Sequence, residues 1–481
     1  MYMAEHFPLM VPGARAEGPP IEARAPFDGA LIATVDGAGP AAIEQALGAA
    51  HQLFRDRGAR LRPARRIEIL NRTAELMQRQ REHLAVEAAR EGGKPLVDSL
   101  VEVDRAIDGL RLCVETLRTQ SGREVPMDLN AASIGRLAFT SHEPIGVVLA
   151  FSAFTHPLNL IVHQVGPALA AGCPVVVKPA KATPLSCLRL VHLLRQAGLP
   201  DDWCQALVVA DQDLLTRMVA DRRVGFFSFI GSGRVGWMLR SKLAPGTRCS
   251  LEHGGVAPVI VAADADLTWA VPLLTKGGFY HAGQVCVSVQ RVFAERSIAP
   301  RLAELLAERA AALSVGDPTL PETEVGPLIR PSEVQRVDQW VQEAVQGGAK
   351  LLCGGRALSE SCYAPTVLLD PPDLSRVMTH EVFGPVVCVS SYGELDEAIA
   401  RSNGLPYAFQ AAVFTRDLDT ALRAARRLDA SAVMVNDHTA FRVDWMPFAG
   451  LRESGLGVGG IPYTIREMQV EKMIVLRSKE L

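Results

Sequence analysis

The chain has little of what would mark a membrane protein, a nucleic-acid binder or a secreted scaffold. Lys and Arg number 50 against 53 Asp and Glu, a net charge of −3, so no basic field exists to hold a nucleic acid or an anionic membrane. Long apolar runs are missing. The most apolar stretch, Ile145 to Val162, is broken by Ser152, Thr155, His156, Pro157 and Asn159. It therefore reads as strand, turn and helix, not as a membrane span of about 20 residues. Paired cysteines are missing too. The nine are scattered, odd in number, and none forms C-x-x-C, which argues against a disulfide framework and a zinc cage. Met1 to Gly18 carries no basic segment followed by an apolar one, so no signal peptide is expected and a reducing cytoplasm is the expected compartment.

What is present is ordinary in bulk and specific in pattern. Apolar residues make up 48% and charged residues 21% of 481, a globular composition long enough for two or three domains at about 150 residues each. Apolar residues at three- and four-residue spacing predict helices over Ala41–Phe54, Pro63–Arg90 and Val97–Arg118. Ser121–His142 alternates around Asn130 and Gly135, a hairpin or ribbon. Short apolar runs at Gly146–Ser152, Pro174–Lys178, Cys204–Val209, Val224–Ile230 and Cys249–Glu252 then alternate with helical stretches, the pattern of a parallel sheet covered by helices. A second α/β block has strands at Val259–Val261, Val289–Ala294, Val386–Val389 and Ala432–Asn436. Its helices are expected at Ala299–Leu313, Pro331–Gln346, Leu395–Ser402 and Leu418–Leu428, and the chain ends in a strand, Glu471–Arg477. The fold class is therefore α/β, with two α/β domains and a small strand element.

Two local features carry chemistry. Gly231-Ser232-Gly233-Arg234-Val235-Gly236 follows the strand ending at Ile230 and opens a helical pattern, the G-x-G-x-x-G arrangement that lets backbone N–H groups approach a pyrophosphate. By itself a plain tight turn satisfies it equally well. The simple fingerprint also wants an acidic residue about 20 positions on, near Glu252. Gly283-Gln284-Val285-Cys286 sets a cysteine in a polar turn ahead of a strand, where a thiolate would be a strong nucleophile if its pKa were lowered. The other eight cysteines read as small core residues.

Here the chain resembles the aldehyde dehydrogenase superfamily over nearly its whole length. The segments that carry the resemblance are EPIGVVLAFSAFTHPLNL (143–160), VVVKPAKATP (175–184), FIGSGRVG (229–236), LEHGGVAP (251–258), GQVC (283–286), EVFGPV (381–386) and MPFAGLRESGLG (446–457), in the family's order. The resemblance implies a Rossmann-type nucleotide-binding domain (1–120 and 143–252), an α/β catalytic domain (253–464) and oligomerisation strands (121–142 and 465–481) that pair subunits into a homodimer or homotetramer. It also implies NAD(P)-dependent oxidation of an aldehyde to an acid. Cys286 matches the nucleophile, passing through a thiohemiacetal and a thioester, and Glu252 matches the glutamate that activates the hydrolytic water. Lys178 matches the lysine on the adenosine ribose. Gly231, Ser232 and Gly236 lie in the loop that meets the pyrophosphate, and Glu381 and Phe383 match the pair that positions the nicotinamide ribose and ring. His253 and Arg291 read as structural.

Three positions depart from the family pattern; one, Ala449 where the family more often has a second glycine, adds only a methyl to a tight loop, and the other two bear on function. Thr155 stands where the family has the oxyanion-hole asparagine, and a shorter hydroxyl in place of that amide leads to an expectation of impaired turnover. An alternative reading follows, a catalytically weak member that retains nucleotide binding. Lys181 stands where NAD-preferring relatives often have a glutamate. A lysine cannot accept from ribose hydroxyls but attracts a 2′-phosphate, favouring NADP⁺. The stretch around Asn436–Met446 looks like the branch containing lactaldehyde, phosphonoacetaldehyde and non-phosphorylating glyceraldehyde-3-phosphate dehydrogenases. Arg105, His156 and Arg442 are expected to converge on the substrate as three cations, favouring a small anionic aldehyde. The plainer alternative has Arg442 bracing its loop through Asp444, Arg105 as a surface charge and His156 as a packed imidazole. No metal is implied.

Overall fold

The computed structural model describes residues 5–481; residues 1–4, the start of the expected nucleotide-binding unit, lie outside it. Two parallel sheets organise the chain. The first runs Gly455–Leu456, Arg248–Glu252, Val224–Ile230, Val147–Phe151, Val175–Lys178, Cys204–Ala206, with only the first of these antiparallel to its neighbour. The second runs Lys350–Cys353, Thr366–Leu369, Val386–Tyr392, Val289–Glu295, Ala257–Val261, Gln410–Phe414, Ala432–Val435, again parallel except at the Lys350–Cys353 edge. Every residue of Val147–Phe151 and Gln410–Phe414 is buried, as helix-covered parallel strands require. Each sheet has its own apolar core.

The expected elements form with small shifts of their ends, and the differences have local causes. The single helix predicted over Pro63–Arg90 is two, Pro63–Arg79 and Arg81–Gly92, because Gln80 leaves helical geometry (φ −111°, ψ 17°) while the apolar spacing continues across it. Three short N-terminal strands, Glu5–Phe7, Ile21–Arg24 and Leu31–Val35, form a small sheet that no long alternation announced. Leu267–Phe279 is helical although Pro272 lies inside it. Gly455–Leu456 adds to the edge of the first sheet beside Arg248–Glu252, and Ile461, Ile465 and Met468 fill the first core. Residues 455–464 therefore pack with the first sheet, not with the second as the expected boundary at 464 had it.

The ribbon at Glu124–Val125 and Arg136–Pro144 takes Gln469–Arg477 as its third, antiparallel strand, paired over nine residues. Among the described residues no strand pairs with the outer edge of Gln469–Arg477. Among the described residues no helix is long and apolar enough to cross a membrane.

The two sheets meet in a way that makes a site. The carboxyl ends of strands in the first sheet, at Phe151, Lys178, Ile230 and Glu252, face the segments that lead into Val289–Glu295 and Val386–Tyr392 of the second. Open α/β sheets bind ligands outside such carboxyl ends.

Candidate active site

A cavity of about 820 Å³ lies at this junction, within the size of small-molecule and cofactor sites. Of the residues expected in catalytic, cofactor-binding or substrate-binding roles, all but Gly236 line it.

At one end of the cavity, Cys286 is half-buried. The chain leaves the helix Leu267–Phe279 through His281 and Ala282, both left-handed (φ 50° and 54°), and Gly283 (φ 71°), where a Cβ would fall 2.1 Å from the Gly384 carbonyl oxygen. Only glycine fits there. The Gln284 amide fixes the next residue, with Nε2 donating to the Pro327 carbonyl (3.1 Å) and Oε1 accepting from Ile329 N–H (2.9 Å). Burial pushes the Cys286 thiol up to about 12; Arg442 opposes the rise, and Glu381 and Glu252 add to it. Glu252 ends its strand beside Gly459, where a Cβ would lie 2.4 Å from Oε1. Burial raises its carboxyl above the ordinary range, and Arg442 pulls it back. A carboxyl held up in this way is a better proton acceptor.

The three expected cations do not survive as three. Arg105 is neither free nor a surface charge. Its Nη2 and Nε donate to Asp444 at 2.6 and 3.0 Å, so a carboxylate cancels its charge. Asp444 also accepts from His163 Nε2 at 2.8 Å. Burial lowers His163 to about 4; neutral, it presents Nδ1 as the acceptor for Arg442 Nη2 at 3.2 Å. His156 is neutral as well, held well below its usual range by burial and bonded to the Tyr280 hydroxyl at 2.7 Å. Arg442 remains. Its guanidinium lies 3.6 Å from the centre of the Phe448 ring, its Nε is buried without a partner, and Asp444, the expected brace, is 4.0 Å away and engaged elsewhere.

At the other end, Lys178 closes its strand with Nζ over the Phe151 ring at 5.4 Å, and burial lowers its ammonium to about 8. Gly231 donates its N–H to the Glu252 carbonyl at 3.0 Å, and the helix Gly233–Arg240 starts at the cavity wall. Gly236 does not touch the cavity. A Cβ on it would lie 2.0 Å from His253 Cε1, so this glycine serves close packing of helix on strand. His253 in turn holds the loop, its Nδ1 2.9 Å from the Gly231 carbonyl oxygen, and Arg291 is spent on backbone carbonyls of Val256, Arg401 and Ser402. Both are structural. Lys181 is exposed at the cavity rim, and so is Arg234, a position that the glycine-loop pattern leaves unspecified.

Glu381 and Phe383 complete the wall between the two ends. Glu381 lies on Gly254, where a Cβ would meet Oε1 at 1.6 Å; that oxygen is buried without a partner, and burial pushes the carboxyl up to about 8. Phe383 is left-handed (φ 47°) and sits edge-on to Phe154 at 5.9 Å, a strained conformation of the kind that collects at ligand sites. A glycine loop at a helix start, a lysine at a strand end and a buried carboxyl with one oxygen unpartnered among the described residues suit a dinucleotide with ribose hydroxyls.

Residues 14–474 match the Aldehyde dehydrogenase family. The chain belongs to that family. It is an oxidoreductase with the α/β aldehyde dehydrogenase fold. It is 41% identical over 414 residues, 86% of either chain, to 3-sulfolactaldehyde dehydrogenase of Priestia aryabhattai. Its structure superposes with a TM-score of 0.94 on aldehyde dehydrogenase 21 from Physcomitrella patens in complex with the reaction product succinate, at 31% identity over 99% of both chains. With glyceraldehyde-3-phosphate dehydrogenase GapN from Methanocaldococcus jannaschii, complexed with NADP, the TM-score is 0.91 at 33% identity, over 95% of this chain and 99% of that one.

Asp444 and His163, which set the charge state of the substrate end, carry no motif of their own. Arg105 and Asp444 are 339 residues apart, and no local pattern links them.

Proposed function

We propose that this aldehyde dehydrogenase oxidises a small anionic aldehyde to its carboxylic acid with NAD⁺ or NADP⁺, NADP⁺ being favoured. The observation that carries the reading is the single cavity lined by Cys286, Glu252 and Arg442 together with Lys178, Ser232 and Glu381. Similarity to relatives named for a sulfonated and a phosphorylated aldehyde, and to one holding a dicarboxylate product, supports the anionic class. Arg442 is the cation that would meet the anion.

In this reading Cys286 Sγ bonds to the aldehyde carbon, and the carbonyl oxygen becomes an oxyanion beside Thr155 and the Cys286 N–H. Lys178, the Gly231–Ser232 loop and Glu381 would hold the dinucleotide, which when bound would supply the hydride acceptor. Loss of hydride leaves an acyl thioester on Cys286. Glu252 takes a proton from water, the hydroxide adds to the acyl carbon, the C–S bond breaks, and the carboxylic acid leaves as the thiolate returns, its proton then passing to solvent. Lys181 and Arg234 at the rim offer two cations to a 2′-phosphate. The body around the first sheet is the nucleotide-binding unit and the second sheet carries the nucleophile. The open edge of Gln469–Arg477, with Met473 and Leu476 about half exposed, suits pairing with a second copy into a homodimer or homotetramer. Nine unpaired thiols suit a cytoplasmic enzyme.

The test is reduction of NAD⁺ and NADP⁺ followed by absorbance with 3-sulfolactaldehyde, glyceraldehyde 3-phosphate, succinic semialdehyde and neutral aldehydes of equal length, with Cys286→Ala as blank. Turnover that vanishes in the blank and favours the anionic members is expected. Faster turnover of the neutral members would overturn the substrate class, and turnover in the blank would overturn the mechanism.

A further inference from the structure

A second set of charges lies under the cavity and takes no part in the chemistry above. Lys94 and Glu102 are an ion pair with 0% and 1% residue exposure. Glu102 stands on the helix Leu96–Thr119, and its Oε1 accepts from the N–H groups of both Leu158 and Asn159 at 2.9 Å. These are the first donors of the helix Asn159–Ala171, whose own leading residue, Leu158, offers no capping side chain. Unmet donors at a buried helix start need such a partner. Lys94 Nζ also reaches the Thr155 carbonyl at 3.4 Å. The turn Thr155–Leu158 is thus gripped at both ends, by its first carbonyl and by its last N–H.

The same corner also grips the other half of the site. Gly93 is left-handed (φ 75°) and pressed on Pro327, 2.9 Å from where a Cβ would stand, and Leu96 N–H donates to the Pro318 carbonyl at 2.7 Å. The Pro327–Ile329 segment is the one that holds Gln284, two residues before Cys286. One corner of the chain therefore references the turn that follows the first sheet's strand and the loop that carries the thiol before the second sheet's strand.

We propose that Lys94 and Glu102 are positioning residues that register the Thr155 turn against Cys286, so that an oxyanion forming on a Cys286 adduct meets its donors. This rests on the reading of Cys286 and the Thr155 turn as the reaction centre. Stability alone does not account for the pair, because a buried ion pair is commonly no more stabilising than well-packed apolar residues in its place. Its charges do what apolar groups cannot, holding a carbonyl and two N–H groups at fixed places.

The test separates registration from nucleophilicity by comparing two reactions of the same thiol. Acylation by p-nitrophenyl acetate passes through a tetrahedral oxyanion as the Cys286–acyl bond forms and p-nitrophenolate leaves. Alkylation by iodoacetamide displaces iodide and forms no oxyanion. Glu102→Gln and the apolar pair Lys94→Met with Glu102→Leu are expected to lower the acylation burst about 10- to 100-fold while alkylation at Cys286, read by peptide mass, stays within about 2-fold. Glu91→Gln is the control. Glu91 is also a fully buried carboxylate capping a helix, through Leu185 and Ser186 N–H at 2.8 Å, but it makes no bond to the Thr155 turn, so its acylation burst should match that of the unaltered enzyme. An apolar pair with normal acylation, or an equal loss in Glu91→Gln, would overturn the proposal. Acylation persisting in Cys286→Ala would instead overturn the reading of the reaction centre.

Discussion

Replacing Arg442 by Met tests the substrate end most directly. The unbranched side chain keeps an apolar stem while removing the guanidinium 3.6 Å from the centre of the Phe448 ring. Asp444 keeps Arg105 and His163 as partners, so the change does not strip that carboxylate of its partners. Two losses follow, and they differ in what they depend on. First, Arg442 opposes the upward shift of the Cys286 thiol, so its removal leaves less thiolate and slows iodoacetamide and every aldehyde alike. Second, an anionic aldehyde loses a hydrogen bond to a charged donor. Such a bond is worth about 1.5–3 kcal/mol, which is about 10- to 150-fold in kcat/KM. The assay is kcat/KM for succinic semialdehyde and for butanal in both enzymes, with the iodoacetamide rate as a measure of the first loss. The anionic aldehyde should fall by the common factor and by the further 10- to 150-fold, the neutral one by the common factor only. Equal losses for the two aldehydes would refute contact between Arg442 and the anion and leave it as a group that tunes the thiol.

Thr155→Asn should raise kcat, by as much as about 10²-fold, since one oxyanion donor carries that scale of rate; an unchanged or lower kcat would show that the threonine site is already complete. Lys181→Glu should shift the NADP⁺ to NAD⁺ ratio of kcat/KM toward NAD⁺ by about tenfold or more, the value of a charge-assisted contact, and an unmoved ratio would remove Lys181 from cofactor choice. The pH dependence has two parts with opposite sign. With the Cys286 thiol raised to about 12, its alkylation in the free enzyme should climb about tenfold per pH unit through the neutral range without a plateau. With the Lys178 ammonium lowered to about 8, its charge is present below that pH and lost above it, so KM for the cofactor should rise above pH 8 and not near the usual lysine range. A thiol plateau near neutrality, or a flat cofactor KM up to pH 10, would refute the corresponding assignment.

Much of the site was legible because its pieces are local. G-S-G-R-V-G after Ile230, G-Q-V-C before Val289 and E-V-F-G-P-V before Val386 are each a short backbone conformation written in adjacent residues, and each stands at the cavity wall. The same holds for the repeated strand and helix pattern, since burial on both faces of a parallel strand needs an unbroken apolar run. Gly236 shows the limit within a motif. Its place in G-x-G-x-x-G was plain, yet whether it meets ligand or protein depended on His253 coming from another strand.

The sequence by itself determined the α/β class, the family and most of the strand and helix pattern, because these follow from periodicity and from neighbouring residues. Tertiary structure alone decided the charge of the substrate end. Arg105, His156 and Arg442 look alike as cations in the sequence, but Asp444 neutralises the first, burial discharges the second beside Tyr280, and of the three only the last has a buried nitrogen without a partner among the described residues. It also decided what holds the Thr155 turn, since Glu102 reaches Leu158 across 56 residues. The physical reason is common to both. The charge a group carries in a cavity is set by its desolvation and its nearest partners, and those partners are neighbours in space that the chain keeps far apart.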